Sequence, residues 1–279
     1  VIDEAHRTGA ASYQKIMNFF KPKFFLGMTA TPNRTDGYDV FALFNHVIAF
    51  QITLQDALEN EMLAPFHYFG ISDLEIDDET VDDPTLFNKL TSDERVRHIV
   101  SKIEEYSVGK SARRGLVFCN RNSEARELSR KFNEFGYRTC AISGEDSDEV
   151  RNSAIARLDS GELQYIFSVD IMNDSAIVFV QQLGRGLRKN ENKEYALVLD
   201  FIGNFQSNFL VPVALTGDKT YNKDRLRRLV QEGDSVIPGC STVSFDRIAQ
   251  ARIYRAIDGG DFTSIRFLKN EYLDLRQRL

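Results

Sequence analysis

Two adjacent carboxylates, Asp3 and Glu4, follow the apolar pair Val1-Ile2 and precede Ala5-His6. A strand end that delivers neighbouring carboxylates can hold Mg²⁺ with one and polarise a water toward a γ-phosphate with the other. Successive side chains of a strand point to opposite sides, which separates the two tasks. Asp3 is assigned to the metal, directly or through water, and Glu4 to the attacking water. His6 stands where an imidazole could relay the state of that site to a neighbouring segment by hydrogen bonding. Taken alone, these residues also fit a polar strand end followed by a surface histidine.

A second cluster, Thr29-Ala30-Thr31-Pro32, follows the apolar run Phe24–Met28. Pro32 disfavours helix at Thr31 and keeps the turn extended. The hydroxyls of Thr29 and Thr31 could bridge the acidic strand end to another domain, coupling sites rather than doing chemistry. An ordinary strand-to-loop turn is the alternative.

The third cluster is Gln181-Gln182-Leu183-Gly184-Arg185-Gly186-Leu187-Arg188. On a helix, Gln181, Arg185 and Arg188 fall at i, i+4 and i+7 and share one face. Guanidinium groups bind phosphate oxygens through a rigid fork. An arginine inserted from a second domain neutralises transition-state charge, at roughly 10³–10⁵ in rate. A solvated basic face would show the same arginines. Gly184 and Gly186 argue against it, since each costs a helix ~1 kcal/mol; close backbone approach to a ligand or another domain would explain them. Gly109-Lys110-Ser111 mimics the end of a phosphate-binding loop, but the required earlier glycine is Glu104, and a helix precedes and a strand follows. The chain contains no other G-x-x-x-x-G-K-[ST].

The elements that must position these residues read as strands alternating with helices, which implies parallel pairing. Strands are expected at Val1–Asp3, Lys23–Met28, Phe66–Gly70, Gly115–Cys119, Thr139–Ile142, Tyr165–Val169 and Tyr195–Phe201. Helices are expected at Ser12–Phe20, Thr53–Met62, Asp93–Tyr106, Ser123–Phe135, Ser147–Leu158 and Ala176–Leu187. In Ser123–Phe135 the residues Ala125, Leu128, Phe132 and Phe135 make the apolar stripe. Ser72–Pro84 carries Asp73, Glu75, Asp77, Asp78, Glu79, Asp82 and Asp83. It reads as a solvated linker. The segment after Gly203 reads as mostly helical.

At 279 residues, 42% hydrophobic and 27% charged, the chain has room for two domains and the composition of a soluble globular protein. No apolar run approaches membrane-spanning length, so no membrane partner is expected. No signal peptide is recognisable, and a chain that opens inside a motif is expected to continue upstream. Cys119, Cys140 and Cys240 are far apart and form no C-x-x-C pair, which speaks against structural zinc and suits a reducing cytoplasm. The two in strand-like runs read as core residues. The net charge of −6 does not itself favour nucleic acid. The cations do cluster, at Arg185, Arg188 and Lys189 and again at Arg225, Arg227 and Arg228, and a basic groove can sit on an acidic protein.

In this order, Asp3–His6, Thr29–Thr31 and Gln181…Arg188 resemble motifs II, III and VI of superfamily 2 helicases, and Leu116–Asn120 resembles motif IV. The chain is most similar to bacterial DEAD/DEAH-box helicases related to the Res motor subunit of restriction enzymes, in which a run like Gln181–Asn204 is characteristic. Ser241–Asp246 resembles the C-terminal extension of some members. The resemblance implies an α/β fold of P-loop NTPase helicase architecture. Residues 1–70 would be the C-terminal part of one RecA-like domain and 71–91 an acidic linker or excursion. Residues 92–205 would be a second, parallel-sheet RecA-like domain, and 206–279 a mostly helical extension.

The resemblance further implies ATP and Mg²⁺ in a cleft between the domains, with Asp3 and Glu4 serving metal and water and Arg185 and Arg188 reaching the phosphates. Asn120, Arg121, Ser143 and Gly144 lie where such proteins meet a nucleic-acid backbone, which would be DNA or, as an open alternative, RNA. The expected function is that of an ATP-dependent DNA helicase or translocase of the cytoplasm, a hydrolase that a nuclease domain upstream could accompany. Two departures stand out. The phosphate loop with its lysine is absent and would lie before Val1. After Val169–Asn173 the family carries a G-x-D motif and a further strand, where Asp174-Ser175-Ala176 follow at once; omission of a stretch is favoured over deletion, because loss of a central strand would disrupt the sheet. Without the loop, the chain alone is expected to be inactive as an ATPase, and a non-catalytic nucleic-acid-binding or interaction module is the alternative reading.

Overall fold

The computed structural model describes residues 1–20, 22–29, 39–77, 88–107, 113–169, 176–190, 193–204, 206–217, 220–233, 237 and 241–262. The chain divides into two compact units, Val1–Thr53 with the chain end from Asp261, and Leu54–Gly260.

In the first unit Ile2 and Gly27 form a parallel bridge. The Ile2 N–H donates to the Leu26 carbonyl at 2.8 Å and the Met28 N–H to the Ile2 carbonyl at 2.8 Å. The expected strands Val1–Asp3 and Lys23–Met28 therefore run side by side, but as a bridge rather than a ladder among the described residues. Gly27 is required by close approach: a Cβ there would stand 2.3 Å from Cζ of Phe44, whose ring stacks on Phe25. A 3₁₀ turn over Ala5–Gly9 leads into helix α1 (Ala11–Phe19). The buried Thr8 hydroxyl donates to the Ala5 carbonyl at 2.7 Å, and Gln14 Nε2 donates to the Thr8 carbonyl at 2.8 Å. These bonds anchor the segment that follows the two carboxylates to α1.

The second unit contains α2 (Leu54–Glu59), β1 (Phe66–Asp77), α3 (Asp93–Tyr106), β2 (Gly115–Cys119), α4 (Asn122–Glu134), β3 (Thr139–Ile142) and α5 (Asp148–Ser160). It continues with β4 (Tyr165–Val169), α6 (Ala176–Gly186), β5 (Ala196–Asn204), α7 (Leu210–Thr216), α8 (Lys223–Glu232), β6 (Thr242–Phe245) and α9 (Arg247–Gly259). The pairings between these strands are parallel. Elements α3, β2, β3 and β4 have the bounds expected from the sequence. Ser92 caps α3 by accepting the Arg95 N–H at 3.2 Å, with Asp93 and Glu94 in the first turn where the helix dipole favours them. Ala125, Leu128 and Phe132 of α4 are buried as expected. Phe135 is 42% exposed, because α4 stops at Glu134 and Gly136, at φ 85°, turns the chain away.

The strands form two three-stranded sheets, ordered β5-β1-β6 and β2-β4-β3. The two sheets share a core: Leu199 and Phe201 of β5 pack on Val96, Ile99 and Val100 of α3, Leu128 and Phe132 of α4, and Phe167 of β4.

The acidic stretch expected as a linker over 71–91 begins inside β1, and the domain boundary expected at 70 falls within the same strand. Asp73 is buried, and its carboxylate accepts Arg95 Nε at 3.0 and 2.9 Å and Nη2 at 2.8 Å. Arg95 Nη1 donates to the Leu90 carbonyl at 2.8 Å and lies 3.7 Å from Glu124. A carboxylate that reads as solvated is thus neutralised by an arginine from α3. Residues 78–87 of that stretch lie outside the described residues.

The segment expected as a mostly helical extension also supplies a strand. β6 pairs with β1 from His67↔Thr242 to Gly70↔Phe245. A Cβ at Gly70 would stand 2.3 Å from the Phe245 ring, so glycine is what lets that ring lie on the strand. Asp246 joins β6 to α9. Its carboxylate accepts the Ser72 N–H at 2.6 Å, the Ser72 hydroxyl at 2.9 Å and the Ala249 N–H at 2.7 Å. Burial pushes the Asp246 carboxyl up, but the hydrogen bonds from Ala249, Ser72 and Ile248 together outweigh it and hold its pKa below the usual value.

A depressed carboxyl stabilises the fold above its unfolded pKa, and the contribution is lost as pH falls through the folded pKa. Asp246→Ala is therefore expected to destabilise the second unit by about 1–2 kcal/mol at pH 7. The difference from the parent should shrink below roughly pH 4, as read by urea denaturation across pH.

Candidate functional site

The first unit holds the carboxylates. Glu4 sits in the left-handed backbone region at φ 52°, ψ 48°, a costly setting for a residue with a Cβ. Asp3 Oδ1 accepts the Glu4 N–H at 2.9 Å. The turn brings Glu4 Oε2 to 3.2 Å from His6 Nδ1. The same Nδ1 is 3.0 Å from Thr29 Oγ1. An ionised carboxylate can only accept, so Nδ1 carries its proton when it meets Glu4; when Glu4 turns away, the Thr29 hydroxyl can donate or accept. One ring nitrogen therefore serves both the acidic turn and the segment after Met28. Thr31 lies outside the described residues.

Asp3 and Glu4 are both exposed. Mg²⁺ takes hard oxygen donors and commonly binds through one or two carboxylates together with phosphates and waters. The exposed Asp3 carboxylate, whose Oδ1 accepts the Glu4 N–H, fits that requirement as the group that would hold the ion.

The second unit holds the arginines. α6 carries Gln181 and Arg185, and its buried Leu183 packs with Leu187 against Phe66, Tyr68, Leu215 and Val243. Arg188 does not share the helix face expected from the spacing: α6 ends at Gly186, Leu187 forms a turn, and Arg188 lies in the chain beyond. Leu187, fully buried, still donates its N–H to the Leu183 carbonyl at 3.0 Å, and its own carbonyl, which the helix end leaves without a helical partner, accepts the Ala64 N–H at 2.8 Å. Arg185 and Arg188 are both exposed. A Cβ at Gly184 or Gly186 would meet nothing within 4 Å, so the close approach read from these glycines is not made by the described residues.

Asn120 and Arg121 follow β2, and Ser143 and Gly144 follow β3, so both loops leave the carboxyl edge of one parallel sheet. That edge is where α/β sheets bind ligands. The Asn120 N–H donates to Glu124 Oε2 at 3.0 Å. Burial pushes the Glu124 carboxyl up. Arg121 keeps a buried Nη2 with no hydrogen-bond partner among the described residues. Ser143 is more committed than its sequence suggests: its N–H and hydroxyl donate to Asp146 Oδ2 at 2.6 and 3.0 Å. The two Ser143 donors hold the Asp146 carboxyl below its usual pKa. A phosphate bound through Ser143 would have to displace that carboxylate. Arg151 Nη2 donates to the Gly144 carbonyl at 2.7 Å.

Sequence reasoning missed Glu124, Asp146 and Lys193, whose ammonium meets the carbonyls at the end of α6. Glu124 could have been found as an acid in the first turn of α4. The other two give no motif. It also missed the pair formed by Tyr68, whose hydroxyl donates to Asp200 Oδ2 at 2.5 Å; burial first, then the mutual contact, raises Tyr68, and burial raises Asp200. With Tyr68 buried on β1 and Asp200 partly buried on β5, this pair serves the packing of the two strands. Cys119 is buried and Cys140 partly so, both as free thiols; Cys240 lies outside the described residues. Among the described residues no helix is long and apolar enough to cross a membrane.

The family model described as "Type III restriction enzyme, res subunit" matches residues 1–34. A 51.5 kDa protein of a Lactococcus phage (isolate 7-9) is 22% identical over 228 residues, covering 75% of this chain and 50% of the relative. The "Putative ATP-dependent helicase IRC3" of Saccharomyces cerevisiae is 22% identical over 232 residues, covering 73% of this chain and 34% of the relative. The chain thus spans half or less of the length of these relatives. Among solved structures, the fragment of a "putative HsdR subunit of a type I restriction enzyme" from Vibrio vulnificus YJ016 superposes with a TM-score of 0.52 at 20% identity, covering 68% of this chain and 42% of the other. S. cerevisiae Dbp5 bound to RNA and ADP BeF3 superposes with a TM-score of 0.50 at 8% identity, covering 91% and 62%.

The fold is the parallel α/β architecture of RecA-like helicase domains. The ordered motifs, the Res-family match over residues 1–34 and the helicase relatives make the chain similar to superfamily 2 helicases of the Res-subunit kind.

Proposed function

We propose that the protein containing this chain couples ATP hydrolysis to movement along DNA. The observation that carries the reading is the single imidazole nitrogen of His6, 3.2 Å from the Glu4 carboxylate and 3.0 Å from the Thr29 hydroxyl. Asp3 would hold Mg²⁺, and the ion would supply charge neutralisation at the phosphates. Glu4 orients the attacking water and accepts its proton. When Glu4 is at the water, His6 Nδ1 gives up that carboxylate and keeps its contact with Thr29, so the chemical state of the acidic turn is felt by the segment that carries Thr29 and Thr31.

Arg185 and Arg188 neutralise charge that builds on the phosphate oxygens. Asn120, Arg121, Ser143 and Gly144 contact the backbone of the nucleic acid. The partly buried Arg121 guanidinium, with its unpartnered nitrogen, is the group there best suited to a phosphate.

The test is ATP turnover by the protein containing this chain, with and without duplex DNA, single-stranded DNA and RNA. Turnover is expected to rise severalfold with DNA and to lose that stimulation steeply with salt, since backbone contacts release counterions. Turnover indifferent to every nucleic acid would refute the reading, and stimulation by RNA alone would replace DNA as the track. The 279-residue chain by itself is expected to bind ATP too weakly for calorimetry, because it has no phosphate loop.

A further inference from the structure

At the end of α6 three successive peptide carbonyls are each taken by a donor from outside the helix. The Leu187 carbonyl accepts the Ala64 N–H. The carbonyls on either side of it, of Gly186 and Arg188, both accept from Lys193 Nζ, the second at 3.2 Å. A helix leaves its last carbonyls without partners, and a cation there also meets the negative end of the helix dipole.

Lys193 is itself held in place, its N–H donating to the Asn190 carbonyl at 3.0 Å just before β5. Burial lowers its pKa from the usual lysine value, so keeping the ammonium here carries a desolvation cost. A lysine serving only solubility would turn outward. The result is a chain fixed at Leu187 and at the Arg188 carbonyl, with the Arg188 side chain left exposed. A fixed root and an accessible tip suit a group that must meet a developing charge without being ordered at the moment of reaction.

We infer that Lys193 is a positioning residue for Arg188: its ammonium clamps the peptide on both sides of Leu187 and so sets the direction in which the Arg188 guanidinium is presented. This rests on the reading of Arg188 as a phosphate-facing arginine. Lys193 acts through the turn.

The experiment compares Lys193→Met, which keeps the length and removes the charge, with Lys193→Arg, in the protein containing this chain. Lys193→Met is expected to lower kcat by roughly 10–100-fold while KM for ATP and the thermal midpoint stay near those of the parent. Lys193→Arg should recover most of the loss. In an Arg188→Ala background, Lys193→Met should add nothing, since the two changes act on one group.

Amide hydrogen exchange without nucleotide gives an independent reading: the peptide containing Leu187 and Arg188 should exchange faster in Lys193→Met, with the rest of the second unit unchanged. Unaltered kcat in Lys193→Met, a full additional loss on top of Arg188→Ala, or unchanged exchange would each overturn the inference. If Arg188→Ala alone retains full turnover, the role of Arg188 itself fails, and the exchange result still judges the clamp.

Discussion

Arg188→Ala in the protein containing this chain is expected to lower nucleic-acid-stimulated ATP turnover on the order of 10³-fold, with ATP affinity changed far less. The expectation comes from where the charge is needed. A phosphoryl group in flight gathers negative charge on its peripheral oxygens, and a guanidinium placed there stabilises the transition state more than the ground state. Arg188 is suited to this because its main chain is held at both neighbouring carbonyls while its side chain is exposed. Arg185, one turn earlier on α6, is exposed too but rides on a helix end flanked by two glycines. Steady-state kinetics with saturating nucleic acid would read the effect. A loss confined to KM would mean that Arg188 binds the ground state and does no more.

Glu4→Gln is expected to reduce turnover by roughly 10²–10⁴-fold, the usual contribution of a general base, while leaving nucleotide binding and nucleic-acid binding in place. The amide keeps the shape of the side chain and can still meet His6 Nδ1, 3.2 Å away in the parent. It cannot take a proton from water. Because Glu4 is held at φ 52°, the substitution keeps the same backbone demand, and stability should change little. Single-turnover kinetics separate the chemical step from product release. If the chemical step were unaffected in Glu4→Gln, the adjacent Asp3 would have to be the base and the division of labour between the two carboxylates would be reversed.

Elements with strong local signals were legible in the sequence. α3 has a serine cap, acids in its first turn and a clean apolar stripe, and β2, β3 and β4 are short β-branched or aromatic runs between turn residues; all four have the bounds that sequence reasoning assigns. What was not legible depends on partners far along the chain. Ser72–Asp77 reads as a solvated acidic linker because nothing nearby says that Arg95 will bury against Asp73. Thr242–Phe245 reads as tail because its pairing with His67–Gly70 is written across the whole second unit.

The site divides in the same way. The residue types of Asp3–His6 and Gln181–Arg188 are what the proposed phosphate chemistry rests on, and the His6–Thr29 contact joins the first cluster to the segment after Met28. Helical spacing misplaced Arg188, because periodicity cannot see that α6 ends at Gly186 and that the Leu187 carbonyl pairs with Ala64, far back along the chain. Nor can it see that Asp146 will engage both donors of Ser143.

The central claim is that the Asp3–Glu4 turn and the Arg185–Arg188 segment serve one triphosphate. It is tested most directly by the distance between spin labels at exposed Ala10 in the first unit and exposed Lys189 in the second, in the protein containing this chain. Addition of Mg²⁺, a non-hydrolysable ATP analogue and DNA should change the distribution, and Arg188→Ala should reduce that change. A distribution that ignores nucleotide and nucleic acid together would contradict the account.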